Sequence, residues 1–562
     1  MEMRGKHGLF PFQLVWLIPV AAGLTMALGA WGWLANGARV DDAVYRAMAL
    51  FEINNDSYSH GIGASDWRFL IARWTGAFAV ITSLLAVAAL LHEQLATSLA
   101  RWLKQDVILI GGPDRASGAF EIAHARRRSV LWLGAPAFGT AGLAAIALQW
   151  PAGDRPRTVG AHAKGARYVL VVDDNDADAL ALARAARAAA PAAQMTLLMN
   201  DTRLADEVAV TLNDHRTRVF SIASVAARAL HAAHPPFLIA SGAGQPRVHA
   251  LIIGFGTVGQ EILHDLIINC RTTGLGPPRI VIVDPRAKAK EGVLRVRAPE
   301  LDQCAECVFI DGEIGAAALR PEPGQIGLAL AAGGALTLVY VCLSRDAAAL
   351  STASVLQSLL RAADVERPPI FVRLREPGVL SLPANEHGEG LSALTPFGDI
   401  RSVLATTEFL ADAPDAAARA YHEAYIASLP PEEKDKPAAR PWDELAEVFR
   451  RSNRHAVAHI PAVLASAGIA LEHSAGSLPR IPPGRKLFED ASQLEALAEL
   501  EHERWSAERR MDGWRACPLA QKQDRQRRLH PDLRPYGELP DGTKEFDRVI
   551  IRQTEAICAR GG

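Results

Sequence analysis

His249 to Leu263 reads HALIIGFGTVGQEIL, an apolar strand pattern that runs directly into Gly254-x-Gly256-x-x-Gly259 and then into a helical pattern. In such a turn the first glycine lets the chain reverse, the second lets backbone approach a pyrophosphate, and the third lets the new helix pack on its strand. Thr257 and Val258 open that helix, whose N-terminal N–H groups aim at the phosphates. A lone GxGxxG is a weak signal. Here the next apolar run, RIVIVDP (279–285), ends on Asp284, where a ribose-binding acid belongs, and VFIDGE brings Asp311 to the end of a third strand. Gly254, Gly256, Thr257, Val258, Gly259, Asp284 and Asp311 are therefore the expected nucleotide contacts. The expected ligand is NAD(H), NADP(H) or a related nucleotide, bound for regulation. Arg286 and Lys288 could receive a 2′-phosphate; the alternative is a solvated loop.

Strand patterns at 338–346 (LVYVCLSRD) and 370–376 (IFVRLRE) complete a Rossmann-like domain over 245–400. A poorer copy precedes it over 106–244. DVILIGG (106–112), a helical pattern through Ala125 and SVLWLG (129–134) make a βαβ unit, extended by YVLVVDDNDADALALAR (168–184) and MTLLM (195–199). Its turn, GGPDRASG, lacks the GxGxxG spacing, and its second strand ends at Gly134 instead of an acid. Both changes remove ligand contacts, so this copy is expected to bind no dinucleotide.

The 562 residues allow three to five domains, and 49% hydrophobic content excludes a disordered chain. A formal net charge of −2 gives no basic field for nucleic acid. Six scattered cysteines fit a reducing compartment. Cys304-x-x-Cys307 has no second pair and stands before a strand, so metal or redox chemistry is not expected there.

Residues 9–35 carry no charge, and roughly 20 apolar residues suffice to cross a bilayer. The run is too long for a signal-peptide core, and Trp31 and Trp33 suit an interfacial anchor. A second charge-free run covers 74–91. Residues 1–105 thus read as a transmembrane hairpin with both termini on one side. The positive-inside count is indecisive, and the cytoplasm is chosen because the nucleotide fold and reduced cysteines belong there. The expected location is the inner membrane, multi-pass. Between the runs, VYRAMALFEI (44–53) is apolar enough to dip back as a short helix, followed by NNDSYSHG. Asn54, Asn55, Asp56 and Ser57 are the pore candidates. A helix lying on the membrane surface is the competing reading.

Span, short helix, polar turn, span resembles the pore module of two-span potassium channels in layout. No TVGYG-type filter occurs. Tandem Rossmann units after such a hairpin resemble the RCK, or TrkA-N, regulatory domains of potassium channels and transport systems, on DVILIGG in the first copy and LIIGFGTVGQEIL with VIVDP in the second. The resemblance implies domains that bind a nucleotide or ions and pull on the membrane helices.

Residues 401–483 read as helices joined by a charged linker. His422, His455 and His459 lack a carboxylate or cysteine at metal spacing, which favours core or surface histidines over ligands. The last segment, 484–562, carries LAELEHERWSAERRMDGW and LHPDLRPYGELPDGTKEFDR. It resembles the RyR domain on Glu501-His502-Glu503-Arg504-Trp505, Gly513-Trp514, His530-Pro531-Asp532-Leu533 and Pro535-Tyr536. His502-Glu503 does not open a zinc-protease helix, because Ser506 stands where HExxH needs histidine. Glu501, Arg504, Trp505 and Glu508 share one helical face, and with Trp514 and Tyr536 they form either an aromatic-floored ligand pocket or an ion-paired scaffold.

The fold class expected is a membrane α-helical hairpin plus α/β, with tandem Rossmann-like domains, an all-α region and a small α-rich RyR domain. The function expected is a membrane-anchored nucleotide sensor, a ligand-regulated potassium or cation channel or an ion-transport regulatory subunit. A homo-oligomer, dimer or tetramer, follows, since two spans cannot surround a pore alone. Its other partners are the lipid bilayer and a nucleotide. One rival is a tethered signalling or defence effector whose RyR domain recognises a nucleotide-like messenger. A second is an NAD(P)-dependent oxidoreductase, for which no positioned acid, base or substrate domain is found.

Overall fold

The computed structural model describes residues 17–52, 66–102, 105–135, 139–140, 145–150, 154–312, 325–362, 368–376, 393–411, 415–431, 434–471 and 479–560. The chain divides into two compact units, residues 1–104 and 105–562.

In the first unit the helices Leu17–Ala35 and Trp67–Trp102 pack together, and each is long and apolar enough to cross a membrane. The second starts earlier than the charge-free run, taking in Arg68. That charge is satisfied at the helix start by Asp66 at 2.7 Å and by the Trp31 ring at 5.0 Å. Close approach needs small residues. A Cβ at Gly32 would stand 2.8 Å from the Phe69 ring, which stacks edge-on with Trp33. Thr25 and Thr75 bridge the helices by a hydroxyl pair at 2.8 Å. Val40–Ala49 is helical, continued by a 3-10 turn over Leu50–Glu52, and it buries Ala43, Ala47 and Leu50 while exposing Val44, Tyr45 and Met48. Asn54, Asn55, Asp56 and Ser57 lie outside the described residues.

The second unit holds two sheets. The first comprises β1 (Val107–Ile110), β2 (Val130–Leu133), β3 (Gly139–Thr140), β4 (Ala145–Leu148), β5 (Tyr168–Val172), β6 (Gln194–Met199) and β7 (Thr217–Ser221), in the order β3-β4-β2-β1-β5-β6-β7. Only β3 is antiparallel to its neighbour. The other contains β8 (Arg247–Ile253), β9 (Gly276–Asp284), β10 (Glu306–Asp311), β11 (Leu338–Val341), β12 (Ile370–Arg373) and β13 (Leu394–Phe397), all parallel, in the order β10-β9-β8-β11-β12-β13. Setting β3 aside, both follow the doubly wound 3-2-1-4-5-6 arrangement of a dinucleotide-binding sheet. Strands such as β1, β5 and β11 are buried along their whole length, as parallel strands covered on both faces must be.

After β13 the chain returns to the first sheet. The helix Ile400–Thr406 packs on Pro113–Ala125 and Ile222–Ala233, and Leu404, Phe409 and Leu410 enter that core. The remaining helices, Ala416–Ser428, Glu447–Ser466, Ala491–Met511 and Asp541–Arg560, form the C-terminal body. Ile460, Val463 and Leu464 of Glu447–Ser466 share one core with Leu497, Leu500 and Ile551.

The helix Thr257–Asn269 lies at the centre. It follows β8 and packs against Ile222–Ala233, Glu447–Ser466 and Ala491–Met511. Its approach to β8 is set by Gly259, where a Cβ would stand 2.3 Å from the Gly254 carbonyl oxygen. At Gly256 a Cβ would meet nothing within 4 Å. Gly259→Ala should therefore lower thermal stability by about 1–3 kcal/mol, the usual cost of forcing volume into a packed site. Gly256→Ala should leave the melting temperature within error, and scanning calorimetry of the two variants checks the contrast.

Candidate functional site

In the second Rossmann sheet the strand order reverses between β8 and β11, and ligands of such sheets lie beyond the carboxyl ends of the strands at that point. The 254–259 turn stands there. Gly254 has φ +89°, and a Cβ on it would meet Cys342 and Leu343 at the end of β11. Phe255 turns into the core, leaving Gly256 and Thr257 exposed and Val258 half-buried. The helix Thr257–Asn269 starts at Gly256 with no side-chain cap. By contrast Asp176–Ala189 and Thr202–Leu212 are capped by Asn175 and Asp201. The first N–H groups of Thr257–Asn269 are thus left for an outside acceptor.

Asp284 and Asp311 are paired neighbours at the ends of β9 and β10. Asp284 Oδ2 accepts from Phe255 N–H at 2.8 Å and from Lys290 Nζ at 2.6 Å, and Oδ1 from Arg286 N–H at 2.9 Å. Burial opposes its charge, but Lys290 and the two backbone donors outweigh that and hold its carboxyl below the usual carboxylate range. Asp311 accepts from Lys288 N–H at 2.8 Å. Lys290 is a site residue that the sequence pattern did not single out. It lies one helical turn beyond Arg286, on the helix Ala287–Arg297.

The corresponding turn of the first sheet also has an uncapped glycine, Gly112, with free space beside it, but differs around it. Trp132 Nε1 donates to the Gly111 carbonyl at 2.9 Å, and a Cβ on Gly134 would strike that carbonyl and Trp150. The helix Pro113–Ala125 begins with a proline, which has no N–H, and carries Asp114 in its first turn. Both oppose a phosphate.

In the C-terminal body Glu501, Arg504 and Glu508 do share a face, and all are buried. Arg504 donates to Glu501 at 2.8 Å and to Glu508 at 2.6 Å. His455 faces Glu508 at 3.2 Å and His459 faces Glu501 at 3.5 Å, both from the neighbouring helix. Burial works against every charge in the cluster, but the mutual attraction is larger: Arg504 is raised and Glu501 and Glu508 are lowered. A cavity of about 300 Å³ adjoins the cluster, lined by Glu501, Arg504 and Trp505 among others. Glu508, Trp514 and Tyr536 do not line it. Trp514 lies edge-on to His530, and the Tyr536 hydroxyl donates to Glu495 at 2.9 Å. No three or more of His, Cys, Asp and Glu among the described residues are grouped to hold a metal ion. The six cysteines are free thiols.

A buried triad was not legible in the sequence. His231 meets Asp265 at 2.5 Å and the Tyr340 hydroxyl at 2.6 Å, joining Ile222–Ala233 and Thr257–Asn269 to β11. Residues far apart in the chain leave no local signal for such a contact.

Residues 487–560 match the family described as the RyR domain. No curated protein matches the chain. Among solved structures it is similar to the GsuK channel bound to NAD, at 13% identity and TM-score 0.34, covering 70% of this chain and 81% of that one. It is also similar to GsuK bound to ADP, at 13% identity and TM-score 0.32, covering 66% and 89%.

Glu261, on the helix Thr257–Asn269, faces Thr202 and Asp206 of Thr202–Leu212, Arg228 of Ile222–Ala233 and Arg297 across a cavity of about 100 Å³. Burial and then the Asp206 carboxylate push its carboxyl from 4.5 up to about 7, against Thr202, Arg228 and Arg297. Between those values the folded chain keeps a proton that the unfolded chain releases, so stability falls as pH rises through that window. Glu261→Gln should flatten the decline, as read from urea unfolding at pH 5 and pH 8.

Proposed function

We propose that this protein is a membrane-anchored nucleotide sensor that regulates ion movement, as a potassium or cation channel or as a regulatory subunit of an ion-transport system. The observation that carries the reading is the open, uncapped helix N-terminus at Gly256, Thr257 and Val258, set at the strand-order reversal with Asp284 beside it. The N–H groups of Thr257, Val258 and Gly259 would receive a pyrophosphate, and Asp284 and Asp311 the ribose hydroxyls. Lys290 would have to release Asp284 Oδ2 for this, and its ammonium would remain beside the phosphates. NAD(H), NADP(H) or a related nucleotide fits these groups, and a 2′-phosphate would meet Arg286 and Lys288.

The two apolar helices anchor the assembly in the inner membrane with both termini in the cytoplasm, and a dimer or tetramer would complete a pore. The RyR domain would receive a second small ligand. If ligand binding differs in free energy between two arrangements of the Rossmann domains, it shifts their balance and so acts on the membrane part.

Calorimetry with NAD, NADP and ADP on the full-length protein in detergent tests the site. Gly256→Glu should abolish binding. Asp284→Ala should weaken it about 10- to 150-fold, since a hydrogen bond to a charged group contributes about 1.5–3 kcal/mol. Unchanged affinity in both variants would place the ligand elsewhere. Cation flux from liposomes tests the output: nucleotide-dependent flux that falls in Asp56→Asn supports a pore. Absence of flux with binding intact would leave the tethered effector as the better reading.

A further inference from the structure

The 300 Å³ cavity of the C-terminal body is walled from two sides. Trp505, His530 and Asp547 come from the segment that matches the RyR family, whereas Tyr421, His422 and Asn453 come from helices that precede it. Such a volume is at the lower end of what small-ligand sites occupy. The apolar part of the lining is aromatic: Trp505 meets His530 edge-on at 5.0 Å, and Phe449 and Phe546 stand on other walls. Arg509 lies over both Trp505, at 5.8 Å, and Trp514, at 5.9 Å.

The polar part of the lining carries acceptors, such as Asn453 and Asp547, beside donors, such as Arg509 and the hydroxyls of Ser452 and Thr543. His422 Nε2 is 2.7 Å from the Arg440 carbonyl, which can only accept, so the proton sits on Nε2, and the Nδ1 lone pair faces Asn453 Nδ2 at 3.5 Å. Burial holds this imidazole below its usual pKa and keeps it neutral. Asn453 Nδ2 donates to the Phe449 carbonyl at 2.9 Å, which leaves Oδ1 as an acceptor. Asp547 adds a carboxylate, 3.4 Å from His502. Three of the five Arg504 N–H groups are taken by Glu501 and Glu508. One polar atom stands unused: the Tyr421 hydroxyl is in a side chain only 4% exposed and has no hydrogen-bond partner among the described residues. A buried hydroxyl without a partner is costly, and a cavity at its side is where the partner would come from.

We propose that this cavity binds a planar, amino-substituted heteroaromatic group, of the kind found in an aminated nucleobase. The ring stacks on Trp505, and its N–H edge is read by Asn453 and Asp547, with Tyr421 completing the set. The aromatic walls favour a flat ring over an aliphatic ligand, and the Asn453 and Asp547 oxygens favour a ring that brings donors to that edge. Arg509 at the tryptophans suits an anionic substituent on that ring. This deepens the reading of the RyR domain as a ligand receiver and does not depend on the Gly256 turn. Because eight of the nineteen lining residues lie outside residues 487–560, the ligand would fasten the helices Ala416–Ser428 and Glu447–Ser466 to Ala491–Met511.

The test is calorimetry on full-length Gly256→Glu protein in detergent, so that the Rossmann turn contributes nothing, with adenosine, cytidine, inosine and uridine as probes. Adenosine or cytidine should bind, and its oxo counterpart, inosine or uridine, should bind at least tenfold more weakly. Trp505→Ala should abolish the binding and Trp505→Phe should retain it within about threefold. Asn453→Leu should erase the preference for the amino ring. No heat with any probe from protein that melts at the wild-type temperature would overturn the proposal. Binding indifferent to Trp505→Ala and Asn453→Leu would overturn it equally, and equal affinity for amino and oxo rings would refute the acceptor edge. NAD binding measured in Trp505→Ala protein reports on the Gly256 turn separately.

Discussion

The contact on which the second unit depends is the one between Gly259 and the Gly254 carbonyl, where no side chain fits. It seats the helix Thr257–Asn269 against β8, and that helix is what the other bodies pack on. Ile262, Leu263, Leu266 and Ile267 are buried in the same core as Ala462, Ala507 and Met511 from the C-terminal helices. The helix therefore has a free N-terminus at the mouth of one sheet and a buried flank that touches three further helices. A residue that pushed it off the strand would disturb all of them, because packed interiors transmit displacement rather than absorb it.

Charge is buried at two places along this axis, and at both it is paired on more than one side. Asp265 is held by His231 at 2.5 Å and by Asn269 at 2.9 Å. Arg504 is held by two carboxylates, which in turn face histidines of the neighbouring helix. Such groups add little net stability over a well-packed apolar core, but removing one partner strands the other in a low-dielectric interior. Their effect is to admit one mutual arrangement of helices and penalise slippage.

Much of this was legible in the chain. The glycine spacing, Asp284 at the end of the next strand and the run of strand patterns gave the second sheet, since each signal is local. Missed were β4 (AIAL), β7 (TRVFS) and β13 (LTPF), which are short, or carry polar residues such as Arg218, or contain a proline. Arg218 is nevertheless buried, because its guanidinium reaches the Glu408 carbonyl at 3.0 Å, a partner far along the sequence. The face shared by Glu501, Arg504 and Glu508 followed from helical spacing. That two histidines of another helix would close over it did not, and neither did the part of the cavity wall supplied by Tyr421 and Asn453. Lys290 escaped notice because nothing in its neighbourhood marks which exposed lysine will find a carboxylate.

The core shared by Glu447–Ser466 and the C-terminal helices bears on where the chain can be cut. A fragment beginning near 487 would carry Leu497, Leu500 and Ile551 but leave behind Ile460, Val463 and Leu464, so an apolar face built to be covered would meet water. Such a piece would aggregate or pair with another copy of itself. A soluble fragment must start upstream of Ala416–Ser428, and a graft of this module onto another protein must bring its two helices or find a host surface that replaces them.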